Sequence, residues 1–125
     1  FLLRARGDVA HLWRNDGAGR FVAVPESESG LVIKVERTDF GEVAWTFTGN
    51  FADIDGDGLE DLLLASDFLT SQVFRNLGGG RFADVTSAVI DDENGMGAAV
   101  GDYDNDGDLD WFVTSIYDDS GVPTD

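Results

Sequence analysis

The stretch that decides the fold reads Asp53-Ile54-Asp55-Gly56-Asp57-Gly58-Leu59-Glu60-Asp61, and it runs straight into Leu62-Leu63-Leu64-Ala65-Ser66. It returns as Asp102-Tyr103-Asp104-Asn105-Asp106-Gly107-Asp108-Leu109-Asp110, followed by Trp111-Phe112-Val113-Thr114-Ser115-Ile116-Tyr117. Five of nine positions are identical: the carboxylates at positions 1, 3, 5 and 9 and the glycine at position 6. So many negative side chains in one tight turn repel each other unless a cation sits among them. Calcium is a hard ion that takes roughly 6–8 oxygen ligands, and alternate residues of a curled loop can aim carboxylates at one centre. Each copy therefore reads as a Ca²⁺ site, two in all. Asp53, Asp55 and Asp57 supply side chains in the first, Asp102, Asp104 and Asp106 in the second. The glycine permits a sharp turn, after which the carbonyl of Leu59 or Asp108 can face the ion. Asp61 and Asp110 close the shells.

Spacing separates these loops from an EF-hand, whose closing Glu comes roughly three residues later and sits on a helix. Here the apolar runs that follow are rich in strand formers, so the metal belongs to a strand-to-strand turn. A merely solvated acidic loop is the alternative, and two copies in one register argue against it.

A second motif also recurs. Trp13-Arg14-Asn15-Asp16-Gly17-Ala18-Gly19-Arg20-Phe21 matches Phe74-Arg75-Asn76-Leu77-Gly78-Gly79-Gly80-Arg81-Phe82 at six of nine positions. Polar, glycine-rich segments between apolar runs make hairpin turns. The expected order is a strand over about 44–52, the acidic loop, strands over 61–66 and 71–76, the glycine turn, and a strand over 81–86. That is a four-stranded antiparallel meander with a calcium loop in its first hairpin. The two acidic loops start 49 residues apart, near the period of propeller blades. No stretch shows a helical period.

Aligning the glycine turns, 61 residues apart, sets Phe1 opposite Leu62. Residues 1–24 then read as the end of a preceding blade, with strands over 1–6, 9–14 and 20–24. Residues 25–43 are an inter-blade insertion in which 31–35 forms an additional strand or a long loop. Residues 44–86 are a complete blade with calcium loop 53–61. Residues 87–125 are an inter-blade loop and the first half of the next blade, with strands near 96–101 and 111–117 and calcium loop 102–110. The fold class is all-β: four-stranded antiparallel blades of a β-propeller, about two to two and a half in this chain.

This combination, Asp-x-Asp-x-Asp-Gly-x-x-Asp before an apolar strand and then Arg-Asn-x-Gly-x-Gly-x-Phe, resembles the FG-GAP/VCBS repeats of integrin-α-type β-propellers. The string from Gly101 to Asp110 is similar to the cartilage-acidic-protein-like branch of that family. The resemblance covers nearly the whole chain except residues 25–43. It implies Ca²⁺ held by Asp53, Asp55, Asp57, Leu59 and Asp61, and by Asp102, Asp104, Asp106, Asp108 and Asp110. It also implies a secreted or cell-surface protein serving adhesion or recognition of a protein or carbohydrate ligand. Incomplete terminal blades make self-association into a ring or filament an alternative, and a non-catalytic place within a larger secreted enzyme another.

Composition bounds the rest. The formal charge of −17 and only eight Lys and Arg speak against nucleic acid. Without cysteine there is neither a disulfide nor a thiolate metal site. No apolar run reaches the roughly 18 residues that span a membrane, so no membrane insertion is expected. His11, the single histidine, reads as a strand residue rather than a catalytic base, and the paired carboxylates are accounted for by metal, so no enzyme is expected. Arg6-Gly7-Asp8 falls at a hairpin tip and reads as an ordinary turn. Asp91-Asp92-Glu93 and Asp118-Asp119 read as solvated loop charge. The tryptophans Trp13, Trp45 and Trp111 and the nine phenylalanines are expected in the core between blades.

Overall fold

The computed structural model describes residues 10–39, 41–88, 90 and 94–115. Its centre is a four-stranded antiparallel meander of β5 (Thr46–Ala52), β6 (Asp61–Ser66), β7 (Gln72–Asn76) and β8 (Phe82–Asp84) in that spatial order. Ala52 pairs with Asp61, Leu64 with Gln72, and Asn76 with Phe82 at the loop ends of the three hairpins. Strand β6 is buried along its whole length. Its unbroken Leu62-Leu63-Leu64-Ala65 run follows from that, because a strand covered on both faces has no position left for a polar side chain.

The alternation of a strand divides those leucines between two faces. Leu62 and Leu64 join Phe74, Phe82 and Leu31 in one cluster, against which Leu12 and Ile33 pack. Leu63 joins Ala52 and Val73 in the other, covered by Ile54, Ile90, Val100 and Trp111. Leu12 belongs to a hairpin of β1 (Leu12–Asn15) and β2 (Phe21–Val24), while Val100 and Trp111 belong to one of β9 (Gly95–Gly101) and β10 (Asp110–Ser115). The central sheet is thus sandwiched between two hairpins. The described residues are all-β apart from one helical turn, and the expected meander is present.

Residues 25–43 hold a one-turn helix, α1 (Glu26–Ser29), and a short hairpin of β3 (Glu36–Thr38) and β4 (Gly41–Val43). No strand forms over 31–35. Buried Gln72 replaces strand pairing there, since its Oε1 accepts the Lys34 N–H at 2.7 Å and its Nε2 donates to the Val32 carbonyl at 3.1 Å. The same amide nitrogen donates to Asp84 Oδ2 at 2.9 Å. The helical turn carries its own sequence signal: Pro25 precedes it and Gly30, at φ 74°, ends it with an N–H to the Glu26 carbonyl.

The aromatic expectation needs correction. Phe74 and Phe82 are in the core and Trp111 packs on it, but Trp13, Phe21, Phe51, Phe68 and Phe112 are exposed. Trp45 donates to Glu36 Oε2 at 3.1 Å and tilts against Phe68, with ring centroids 5.3 Å apart. His11 lies one residue before β1 and is exposed, outside the strand where it was expected. The strand expected over 1–6, together with Arg6-Gly7-Asp8, Phe1, Phe40, Asp91-Asp92-Glu93, residues 116–117 and Asp118-Asp119, lies outside the described residues. No described helix is long and apolar enough to cross a membrane.

Two outcomes follow from this packing. A Cβ on Gly30 would lie 2.5 Å from the Phe82 carbonyl oxygen, on a backbone already left-handed. Gly30→Ala should cost about 2 kcal/mol or more in urea unfolding. Burial raises the pKa of the Asp84 carboxyl, but hydrogen bonds from Thr86 and Gln72 and the charge of Lys34 bring it below its ordinary 3.8. Because the folded value is depressed, its contribution is complete above 3.8 and disappears as pH falls through the folded value. Asp84→Asn should therefore flatten the loss of stability on acidification below 3.8, read from urea midpoints against pH beside the parent chain.

Candidate metal centres

Both acidic loops sit between strands whose pairing fixes their ends. The first spans Ala52↔Asp61 at the β5–β6 turn, the second Gly101↔Asp110 at the β9–β10 turn. Each must reverse the chain while keeping its peptide groups satisfied, and the aspartates do this work as well as bearing charge. In the first loop Asp53 Oδ1 accepts the Asp57 N–H at 3.0 Å and Oδ2 accepts the Gly58 N–H at 2.9 Å. Asp55 Oδ1 accepts from Asp57 N at 3.2 Å, Asp57 Oδ1 from Leu59 N at 2.9 Å, and Asp61 Oδ2 from Ile54 N at 3.1 Å.

The second loop repeats that set residue for residue. Asp106 N donates to Asp102 Oδ1 at 3.1 Å and to Asp104 Oδ1 at 3.2 Å, and Gly107 N donates to Asp102 Oδ2 at 3.1 Å. Asp108 N reaches Asp106 Oδ1 at 2.9 Å, and Tyr103 N reaches Asp110 Oδ2 at 3.0 Å. The backbone matches too: Gly56 and Asn105 at position 4 have φ of 73° and 62°, Gly58 and Gly107 at position 6 have 87° and 99°. Asparagine tolerates the left-handed region better than most residues, so Asn105 replaces Gly56 at small cost.

Curling the backbone inward brings carboxylates together. Oxygens of Asp53, Asp55 and Asp61 lie within 4.8 Å of one another, as do those of Asp102, Asp104 and Asp106. Of the expected ligands, Asp57 is outside the first group and Asp108 and Asp110 are outside the second. Leu59 and Asp108 lie on the returning side of their loops with their N–H groups committed to the aspartate two residues before. Two like charges some 5 Å apart repel by about 1 kcal/mol in water and by about 3 kcal/mol at an effective permittivity of 20. The nearby guanidinium does little to relieve this, since Arg75 Nε stands 3.8 Å from Asp55 Oδ2 at the exposed rim. A donor set made only of oxygen suits a hard divalent cation such as Ca²⁺ and disfavours softer metals. The residues present fit such an ion.

The first centre has a feature that the nine-residue pattern did not reveal. Asp61 is fully buried, and its second oxygen accepts the Asn76 N–H at 2.7 Å. The Asn76 side chain donates to the Glu60 carbonyl at 2.8 Å and accepts the Gly78 N–H at 2.9 Å. The glycine-turn motif of β7–β8 therefore clamps the acidic loop of β5–β6. Asn15 receives Gly17 N in the same way, at 2.9 Å. The signal was in the sequence as the constant Arg-Asn pair opening both glycine turns, which turn formation alone does not require.

Residues 53–113, just under half of the chain, match the family model described as FG-GAP-like repeat. The matched stretch contains both acidic loops and the glycine turn between them. No curated protein and no solved structure matches the chain. The match supports the FG-GAP repeat family for this stretch, and the all-β meander agrees with it.

Asp61→Ala removes the acceptor of two backbone N–H groups, one of them in the strand next door. It should cost about 3 kcal/mol of unfolding free energy even in excess chelator. Asp110→Ala, in a half-buried position accepting from Tyr103 alone among the described residues, should cost about 1 kcal/mol under the same conditions.

Proposed function

We propose that this chain is a calcium-binding, propeller-type repeat segment that acts as an extracellular binding or structural module and not as a catalyst. The observation that carries the reading is the residue-for-residue repetition of one hydrogen-bonded loop around two clusters of three carboxylates. Asp53, Asp55, Asp57 and Asp61 with the Leu59 carbonyl are the ligands at the first centre. Asp102, Asp104, Asp106 and Asp110 with Asp108 are those at the second. A bound Ca²⁺ supplies positive charge that offsets the repulsion in each loop. The protein's part is to hold the loop in the curl that its aspartate–amide bonds already define, so that the hairpin packs against its neighbour.

In this reading residues 1–24, 44–86 and 87–125 are parts of successive blades, and residues 25–43 are an insertion between the first two. The FG-GAP-like match over residues 53–113 supports it. Exposed multi-carboxylate sites of this kind suit dissociation constants on the order of 10⁻⁴–10⁻³ M, the range of extracellular calcium modules. That range supports an extracellular setting, with a protein or carbohydrate ligand as the partner class.

Calorimetric titration with CaCl₂ should show two sites per chain, and Mg²⁺ should bind more weakly because it dehydrates reluctantly. Asp53→Asn and Asp102→Asn should each remove one site. At calcium tenfold above the dissociation constant, each site should add about 1.4 kcal/mol of stability, seen as a rise in Tm that EDTA reverses. Absence of binding heat together with a Tm indifferent to EDTA would overturn the reading.

A further inference from the structure

We propose that the β7–β8 glycine turn is part of the first metal centre: Asn76 is a positioning residue that holds the Asp61 carboxylate in place to ligate Ca²⁺, so that turn closure and calcium binding strengthen each other. The inference rests on the calcium reading of the 53–61 loop. It goes beyond that reading by assigning the affinity of the site to a hairpin outside the loop.

The nine-residue loop accounts for only part of its own geometry. Asp53 is held from within, by the Asp57 and Gly58 N–H groups. The other two carboxylates of the cluster, Asp55 and Asp61, are also reached from β7. Arg75 Nε stands 3.8 Å from Asp55 Oδ2, and the Asn76 N–H donates to Asp61 Oδ1 at 2.7 Å. A Cβ built on Gly78 would meet Leu59 Cδ1 at 3.7 Å, so the glycine turn lies directly against the returning side of the loop.

The side chain of residue 76 does more than form a turn. The turn itself needs an acceptor: Asn15 accepts the Gly17 N–H at 2.9 Å just as Asn76 accepts the Gly78 N–H at 2.9 Å. Aspartate or serine can serve that role as well. The amide donor has a different partner, since Asn76 Nδ2 donates at 2.8 Å to the Glu60 carbonyl, in the peptide that leads into Asp61. Asn76 therefore grips Asp61 twice, on its carboxylate through the backbone N–H and on the preceding peptide through the side chain. Asp61 is 0% exposed, so water does not replace either donor there. Groups that orient a metal ligand in this way typically control affinity by about 10–100-fold. Because an ion that binds only the closed arrangement also stabilises it, calcium in turn holds the β7–β8 turn shut.

The test uses the 125-residue chain carrying Asp102→Asn, which leaves the 53–61 loop as the calcium site to titrate. Asn76→Ala should raise the calorimetric dissociation constant for CaCl₂ about tenfold. Asn15→Ala removes the equivalent turn bond in the β1–β2 hairpin and should leave that constant unchanged. Circular dichroism checks that both variants fold. If Asn76→Ala does not, Asn76→Ser takes its place, because serine keeps a turn acceptor but is too short to reach the Glu60 carbonyl. The second readout is hydrogen exchange of the Asn76 amide by NMR. Calcium at tenfold above the dissociation constant should slow it about tenfold, and adding Asp53→Asn should abolish that response. Unchanged affinity in the Asn76 variant, an equal loss in Asn15→Ala, or an Asn76 amide whose exchange ignores bound calcium would each overturn the proposal. In all three results calcium still binds, so the calcium reading stands. Absence of binding heat in the parent chain would instead remove both.

Discussion

The structure depends on one buried carboxylate. Asp61 opens the central strand with no solvent contact, and a charge in that position is tolerable only if donors surround it. The chain supplies them from two directions, the Ile54 N–H from within the acidic loop and the Asn76 N–H from the next strand over. Those two bonds tie the loop, β6 and β7 to a single register. The hydrophobic packing then follows, because a one-residue slip would send Leu62 and Leu64 to the face that Leu63 now occupies.

Strand β6 shows why this fold is built from stacked sheets. Its leucines are buried on both sides, and no single layer can achieve that. The β1–β2 hairpin with Leu31 and Ile33 covers one side, and the β9–β10 hairpin covers the other. Among the described residues the outer sides of these two hairpins carry exposed rings, Trp13 and Phe21 on one and Phe112 on the other. The same residue type is core or surface according to how many neighbours its sheet has, which hydrophobicity does not encode.

The acidic loops combine two demands that pull in opposite directions. Reversing the chain in so few residues needs acceptors for the inward-pointing N–H groups, and aspartates serve well. Bringing them inward crowds their charges to within 4.8 Å. The crowding is what lets the loop hold a cation, and the hydrogen bonds are what keep the carboxylates in place.

Much of this was readable from residue order alone. The repeated Asp53–Asp61 and Asp102–Asp110 patterns located both loops, because ligand spacing and turn geometry are local properties. The Leu62–Ala65 run and the paired glycine turns placed the strands for the same reason. The helical turn at Glu26–Ser29 passed unnoticed since one turn leaves no periodicity, although Pro25 and Gly30 bracket it. Tertiary structure alone decided which aspartate is buried, that Asn76 rather than another turn residue holds it, that Gln72 replaces a strand at 31–35, and which aromatic rings are covered. Each of these depends on contacts between residues far apart in the chain, and such contacts exist only once the sheets have stacked.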